Sequence, residues 1–85
     1  MTRMEPEVAA DDLAASAQSV PARIRALEIE ATFVAFSAIR RHLDALELAA
    51  YDHWKSVGLS YADMGDPIGI PRQNIHRRIK LLREK

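Results

Sequence analysis

The sequence predicts an all-α fold: a long N-terminal helix or helix pair, followed by short helices at the C-terminal end. Three observations carry this. Residues 22–57 contain no Gly and no Pro, and their apolar residues recur in steps of three and four, the period of an α-helix. From Gly58 onward the chain is punctuated at short intervals by Gly65, Pro67, Gly69 and Pro71, with helix-start residues between the breaks. Three Gly and four Pro are too few for a turn-rich β sandwich or a low-complexity chain.

Eighty-five residues make one small domain. The apolar fraction is 48%, but alanine supplies 14 of those residues, so the core is thin. Domains of this size lean on disulfides, metal or a partner for stability. Cysteine is absent, which excludes disulfides and thiolate metal sites. Self-association or an external partner is the remaining prop. No run of about 18 apolar residues occurs, so no membrane span is expected. The stretch Met1–Glu7 is acidic and lacks the apolar core of a signal peptide. A cytoplasmic setting follows as the expectation.

Residues 1–20 form an acidic arm, with Arg3 set against Glu5, Glu7, Asp11 and Asp12. Their apolar pattern is weak. Val8 to Ala17 suits one weak helix, so the arm is expected to be mobile or to dock as a short helix.

Residues 21–57 carry equal numbers of basic and acidic residues. Ser19 suits a helix cap and Pro21 a first helical turn. Unbroken, the interval to Gly58 would span about 55 Å; it reads as one long helix or two with a bend. Phe36, Ile39, Leu43, Leu46, Ala50, His53 and Val57 mark one helical stripe. Between Ile24 and Ile39 the stripe widens until most of the circumference is apolar. Such a helix must be covered on more than one side. Either the rest of the chain covers it, or a second copy does. The thin core favours the second copy, with Leu27, Phe33, Val34 and Phe36 at the subunit interface. No strict heptad is sustained, so a compact bundle is expected over a long coiled coil.

Residues 58–85 are different in kind. Gly58 suits the left-handed cap that ends a helix. Ser60 with Asp63 makes an N-terminal cap. Met64 and Ile68 fall one turn apart on an inward face, Gly69 ends that short helix, and Ile70 returns to the core. Pro71 sits at the next helix start. Ile75, Ile79 and Leu82 form the inward stripe of the last helix, flanked by Leu81. Arg72, Gln73, His76, Arg77, Lys80 and Arg83 fall outward. Residues 72–85 hold six basic residues and one acidic. Such a tail either meets an anionic partner or is simply a solvated helix end.

Here the chain resembles the helix-turn-helix DNA-binding family. Gly65 stands where that pattern has a small residue in its first helix, Gly69 where it has a turn glycine, and Ile70 and Ile75 where it has apolar residues. The phrases Gly-Leu-Ser-Tyr-Ala-Asp-Met-Gly and Gly-Ile-Pro-Arg-Gln-Asn-Ile-His-Arg-Arg are similar to those of small bacterial transcriptional regulators. The resemblance covers about residues 44–82. It implies a second helix that enters the major groove with its N-terminal residues at the base edges. Arg72, Gln73 and Asn74 would then read bases, since Arg grips guanine and Gln or Asn grips adenine in bidentate fashion. His76 and Arg77 extend that face. Lys80 and Arg83 lie further along and suit phosphates, as do Ser60 and Tyr61. Two positions depart from the pattern. Pro67 is expected to kink or shorten the first motif helix, and Gly65 to weaken it by about 1 kcal/mol relative to alanine.

Other constellations carry less. His42 and His53 return to nearly one helix face, but no His-x-x-x-His pair and no Cys accompany them; no metal or other cofactor is expected. Tyr51 and Trp54 suit a core. No phosphate-cradling loop or nucleophile elbow occurs, so an enzyme is not expected. The expected function is a sequence-specific DNA-binding protein: a small homodimeric transcriptional regulator of double-stranded DNA, nucleoid-associated. The alternative is a helical protein-interaction module (an adaptor, antitoxin-like or polymerase-binding), using the N-terminal helical half to hold a protein partner.

Overall fold

The computed structural model describes residues 5–84. The first four residues of the acidic arm and Lys85 lie outside the described residues. The elements in chain order are α1 (Pro6–Gln18), α2 (Val20–Arg25), α3 (Ile29–Ser56), α4 (Tyr61–Gly65), a 3-10 turn (Asp66–Ile68) and α5 (Arg72–Arg83). The fold is all-α, with one long helix followed by shorter ones. It is elongated, 46 × 27 × 23 Å, because α3 runs through it as a spine.

The arm is helical from Pro6, a residue tolerated in a first turn because its missing N–H has no helical partner anyway. It packs along α3. The side chain it buries fully is small, Ala9, while its larger Leu13 is only half-buried.

The 21–57 interval divides into two helices, and the break falls at Ala26-Leu27-Glu28. There Leu27 N–H donates to the Ile24 carbonyl and Glu28 N–H to the Arg23 carbonyl. Leu27 takes a left-handed backbone, φ 58°. This is a Schellman ending with leucine in the position that glycine normally fills. Ser19 does not cap α2 through its side chain, as the sequence suggested; its Oγ instead accepts from Arg23 Nε at 3.1 Å.

The same ending recurs at the other end of α3. Gly58 N–H donates to the Lys55 carbonyl and Leu59 N–H to the Trp54 carbonyl, with Gly58 at φ 97°. The chain reverses, and Ser60 opens α4 with a full capping box. Ser60 N–H donates to Asp63 Oδ2 at 2.8 Å and Asp63 N–H to Ser60 Oγ at 3.1 Å. The Ser60 backbone N–H holds the Asp63 carboxyl below its ordinary value, aided by the Ser60 hydroxyl.

Two expectations for this segment are corrected, those for Ile68 and Gly65, and one holds: Pro67 goes with a short α4 of five residues that gives way to a 3-10 turn. The helix ends at Gly65, and Pro67 sits in the first turn of the 3-10 segment, where its lost donor costs nothing. The tighter winding of that segment rotates Ile68 outward, so it is 68% exposed and not inward. Gly65 is not a weak point either. A Cβ there would lie 2.1 Å from the Ile70 carbonyl oxygen. Only glycine lets the Gly65–Ile70 reversal close, and Ile70 N–H donates to the Gly65 carbonyl at 3.0 Å. The αL residue of that reversal is Gly69, φ 73°.

Helix α5 then packs on α3 and α4 through Ile75, Ile79 and Leu82, all buried. With Ala49 of α3 they form the C-terminal core. Elsewhere the α3 stripe is thinly covered: Phe36, Ile39, Leu46 and Ala50 are half-buried, while Leu43, His53 and Val57 are exposed. Trp54, expected in a core, is also exposed; it packs edge-to-face on Tyr51 at 6.0 Å.

Candidate nucleic-acid interface

The apolar stripe of α5 faces α3, so the opposite side turns to solvent. It carries Arg72, Gln73, Asn74, His76, Arg77 and Lys80, all exposed. Pro71 precedes the helix in extended conformation, φ −60° and ψ 145°. That leaves the first turn with no side-chain cap across it.

The basic residues of α5 sort into two groups. Arg78 lies on the flank of the apolar stripe and turns to the acids of α3. Its Nε donates to Glu47 Oε2 at 2.7 Å and its Nη2 to Glu47 Oε1 at 3.0 Å. Asp44 Oδ1 lies 3.5 Å from Nη2. Arg83 is ion-paired with Asp52. Each pair joins residues 31 apart, so α5 runs in the same sense as α3 along this contact. Arg72, Arg77 and Lys80 form no ion pair among the described residues.

The electrostatics of the Glu47 pair are local. The Arg78 guanidinium, hydrogen-bonded to it, holds the Glu47 carboxyl below the ordinary carboxylate range, outweighing the opposing effect of partial burial. Tyr51 Oη donates to Glu47 Oε2 at 2.9 Å. Burial, and then that carboxylate, push the Tyr51 hydroxyl up to about 12.

Of the two residues singled out at the start of α4, Ser60 is occupied by its cap and Tyr61 by an aromatic cluster. The Tyr61 ring stacks on the His76 imidazole at 5.4 Å, with 26° between the planes. Lys55 Nζ lies 4.6 Å from the Tyr61 ring centre, a cation–π contact. One ring thus joins the end of α3, the start of α4 and the second turn of α5. Beside it, Tyr61, His76 and Lys80 help line an open recess of about 340 Å³. Sequence reasoning missed Lys55. Its partner lies across the Gly58 reversal, where helical spacing carries no information.

The residues expected at a subunit interface lie at the far end of α3. Leu27 is 80% exposed, Phe33 62% and Val34 63%. Phe36 is half-buried, with its ring edge-on to Phe33 at 5.8 Å.

Among the described residues no cluster of His, Asp or Glu is placed to hold a metal ion, and no helix is long and apolar enough to cross a membrane. The chain matches no family model, no curated protein and no solved structure.

Proposed function

We propose that this chain is a sequence-specific DNA-binding protein, a small homodimeric regulator that reads the major groove with the start of α5. One observation supports it above the others. The acids of α3 take Arg78 and Arg83, and Arg72, Arg77 and Lys80, on the exposed side of the same helix, form no ion pair among the described residues. Unpaired cations gathered on one exposed helix face suit an anionic partner.

In this reading Arg72, Gln73 and Asn74 reach base edges, with His76 and Arg77 beside them. Lys80 and Lys55 meet backbone phosphates, which give affinity without sequence information. Arg83 is already paired with Asp52, so its contribution to DNA affinity is smaller than its position on the helix suggests. Two copies joined through residues 24–50 would present two such helices to one duplex.

The test is fluorescence anisotropy on a duplex selected from a random library and on unselected duplex. Arg72→Ala costs about 1–3 kcal/mol on the selected site and little on unselected DNA. Lys80→Ala weakens both alike and lowers the salt slope by about one. Wild-type protein that binds neither duplex at ~50 mM salt, where phosphate contacts are strongest, overturns the reading. The bare apolar end of α3 would then support the second one, a helical module that holds another protein.

A further inference from the structure

We infer that the second copy docks by a two-fold exchange in which Leu27 of each chain enters the apolar recess of the other, with Arg23 and Glu28 pairing across the rim. This rests on the homodimeric part of the reading above and names its contact.

Leu27 is anomalous twice over. It is a branched side chain in a left-handed backbone, φ 58°, where a Cβ is disfavoured. It is also 80% exposed, so the leucine side chain gains no packing in its own chain, and the helix ending it closes would be served as well by glycine. Strain of this kind persists where something else depends on the conformation. The left-handed turn makes Leu27 protrude between α2 and α3. Next to it lies a recess of about 310 Å³, lined by Ile24, Leu27, Phe33 and Phe36, with Arg23 and Glu28 also on its wall.

Three features point to a second copy as the occupant. A two-fold contact brings one surface against itself, so it needs a protrusion and a matching hollow on the same patch; Leu27 and its neighbouring recess provide both. The rim charges are opposite in sign, and within one chain they are only loosely paired, Arg23 Nη1 to Glu28 Oε2 at 4.0 Å. A two-fold axis sets each Arg23 against the other chain's Glu28. Finally, Ile24, Leu27, Ile29, Phe33 and Val34 are all exposed. Without Val34, which lines a neighbouring recess, they bare on the order of 500 Å² of apolar surface per copy, so a contact that covers them removes at most about 1,000 Å², the size of a weak interface.

Sedimentation velocity of the full chain tests this, with circular dichroism to follow helicity. Wild type is dimeric at ~100 μM, a concentration that detects micromolar association. Leu27→Gly keeps its helicity, because glycine suits the backbone there, and its dimer dissociation constant rises at least about tenfold, a hot-spot loss of ~1.4 kcal/mol. Arg23→Glu and Glu28→Arg each self-associate more weakly than wild type. Mixed together they form a heterodimer, since every cross-chain rim pair is then opposite in sign while the repulsion within each chain is unchanged. A Leu27→Gly protein that dimerises like wild type overturns the inference and leaves the dimer standing. So does a mixture that fails to pair. A wild type that stays monomeric removes the dimer itself, while DNA binding by α5 is measured independently.

Discussion

The two ends of α3 show what a thin core does when it is covered and when it is not. The C-terminal end, from Asp44 to Lys55, is closed by α4 and α5. Small side chains let the elements approach there: Ala49 is buried, Gly65 touches the Ile70 backbone, and Ile75, Ile79 and Leu82 fill the space between. Charges at the margin are paired in register. The N-terminal end, from Ile29 to Phe36, carries larger apolar side chains, yet Ile29, Phe33 and Val34 remain exposed. Bulk alone does not make a core. At the C-terminal end α5, itself held by α4, brings large side chains against α3, and the N-terminal end has α1 and α2 with mostly alanine to offer. The poorly covered end is where a partner has something to gain, and the better-covered end holds α5 against α3 through Ile75, Ile79 and Leu82.

The sharpest way to break this contrast is Gly65→Ala. In an ordinary helix the change stabilises by about 1 kcal/mol. Here the added methyl meets the Ile70 carbonyl, and the reversal must open. A loss of about 3 kcal/mol is expected, seen as a lower Tm with weakened protection of α5. A stabilised variant would mean that the Gly65–Ile70 contact is not what closes this end.

Leu27→Gly carries the opposite sign at the other end. Under dilute conditions, where chains are monomeric, it raises stability by about 1 kcal/mol by relieving the left-handed backbone. Thermal melts over a dilution series separate this gain from the loss of association.

A third effect lies in the charge pairing. The folded-state Glu47 carboxyl is held below its ordinary value of 4.5 by Arg78. Its contribution to stability is therefore fully present above about pH 4.5 and is lost as pH falls through the lowered folded value. Glu47→Gln costs about 1 kcal/mol at neutral pH, because both groups remain partly wet, and the difference from wild type shrinks in acid. Urea titrations at pH 7 and below pH 4 check the sign. The smallest effect belongs to Ile68, which faces solvent: Ile68→Ser changes stability by less than about 0.5 kcal/mol.

How far these features were legible follows from where the information lies. Leu27 and Gly58 occupy the same left-handed position in the same helix ending. At Gly58 the residue announces the turn. At Leu27 it hides it, which is why residues 21–57 read as one long helix or as two with no located break. The capping box at Ser60 and the inward stripe Ile75, Ile79, Leu82 were plain, because local spacing determines both. Gly65 was read as a weakness since its contact is with a backbone beyond a turn. Pro67 was legible as a residue that shortens α4, though the 3-10 turn that follows was not. In the candidate interface, the exposed run Arg72 to Arg77 was legible as one face of a helix. The pairing of Arg78 and Arg83 with α3, and the Lys55–Tyr61–His76 cluster, depend on which elements lie side by side, and no periodicity within one element reports that.

In the proposed function the two ends of α3 act together: one would bring copies together so that the other could present two α5 helices to one duplex. The most direct test compares wild type with Phe33→Asp on the same long mixed-sequence duplex, by anisotropy at ~50 mM salt, where phosphate contacts are strongest. Phe33 is exposed and remote from α5 in the chain, so the variant keeps α5 as it is. Wild type should bind in a salt-dependent manner, and Phe33→Asp at least about tenfold more weakly, because a second binding head is lost while the first is intact. Equal binding by the two proteins, or no binding by wild type, would contradict it.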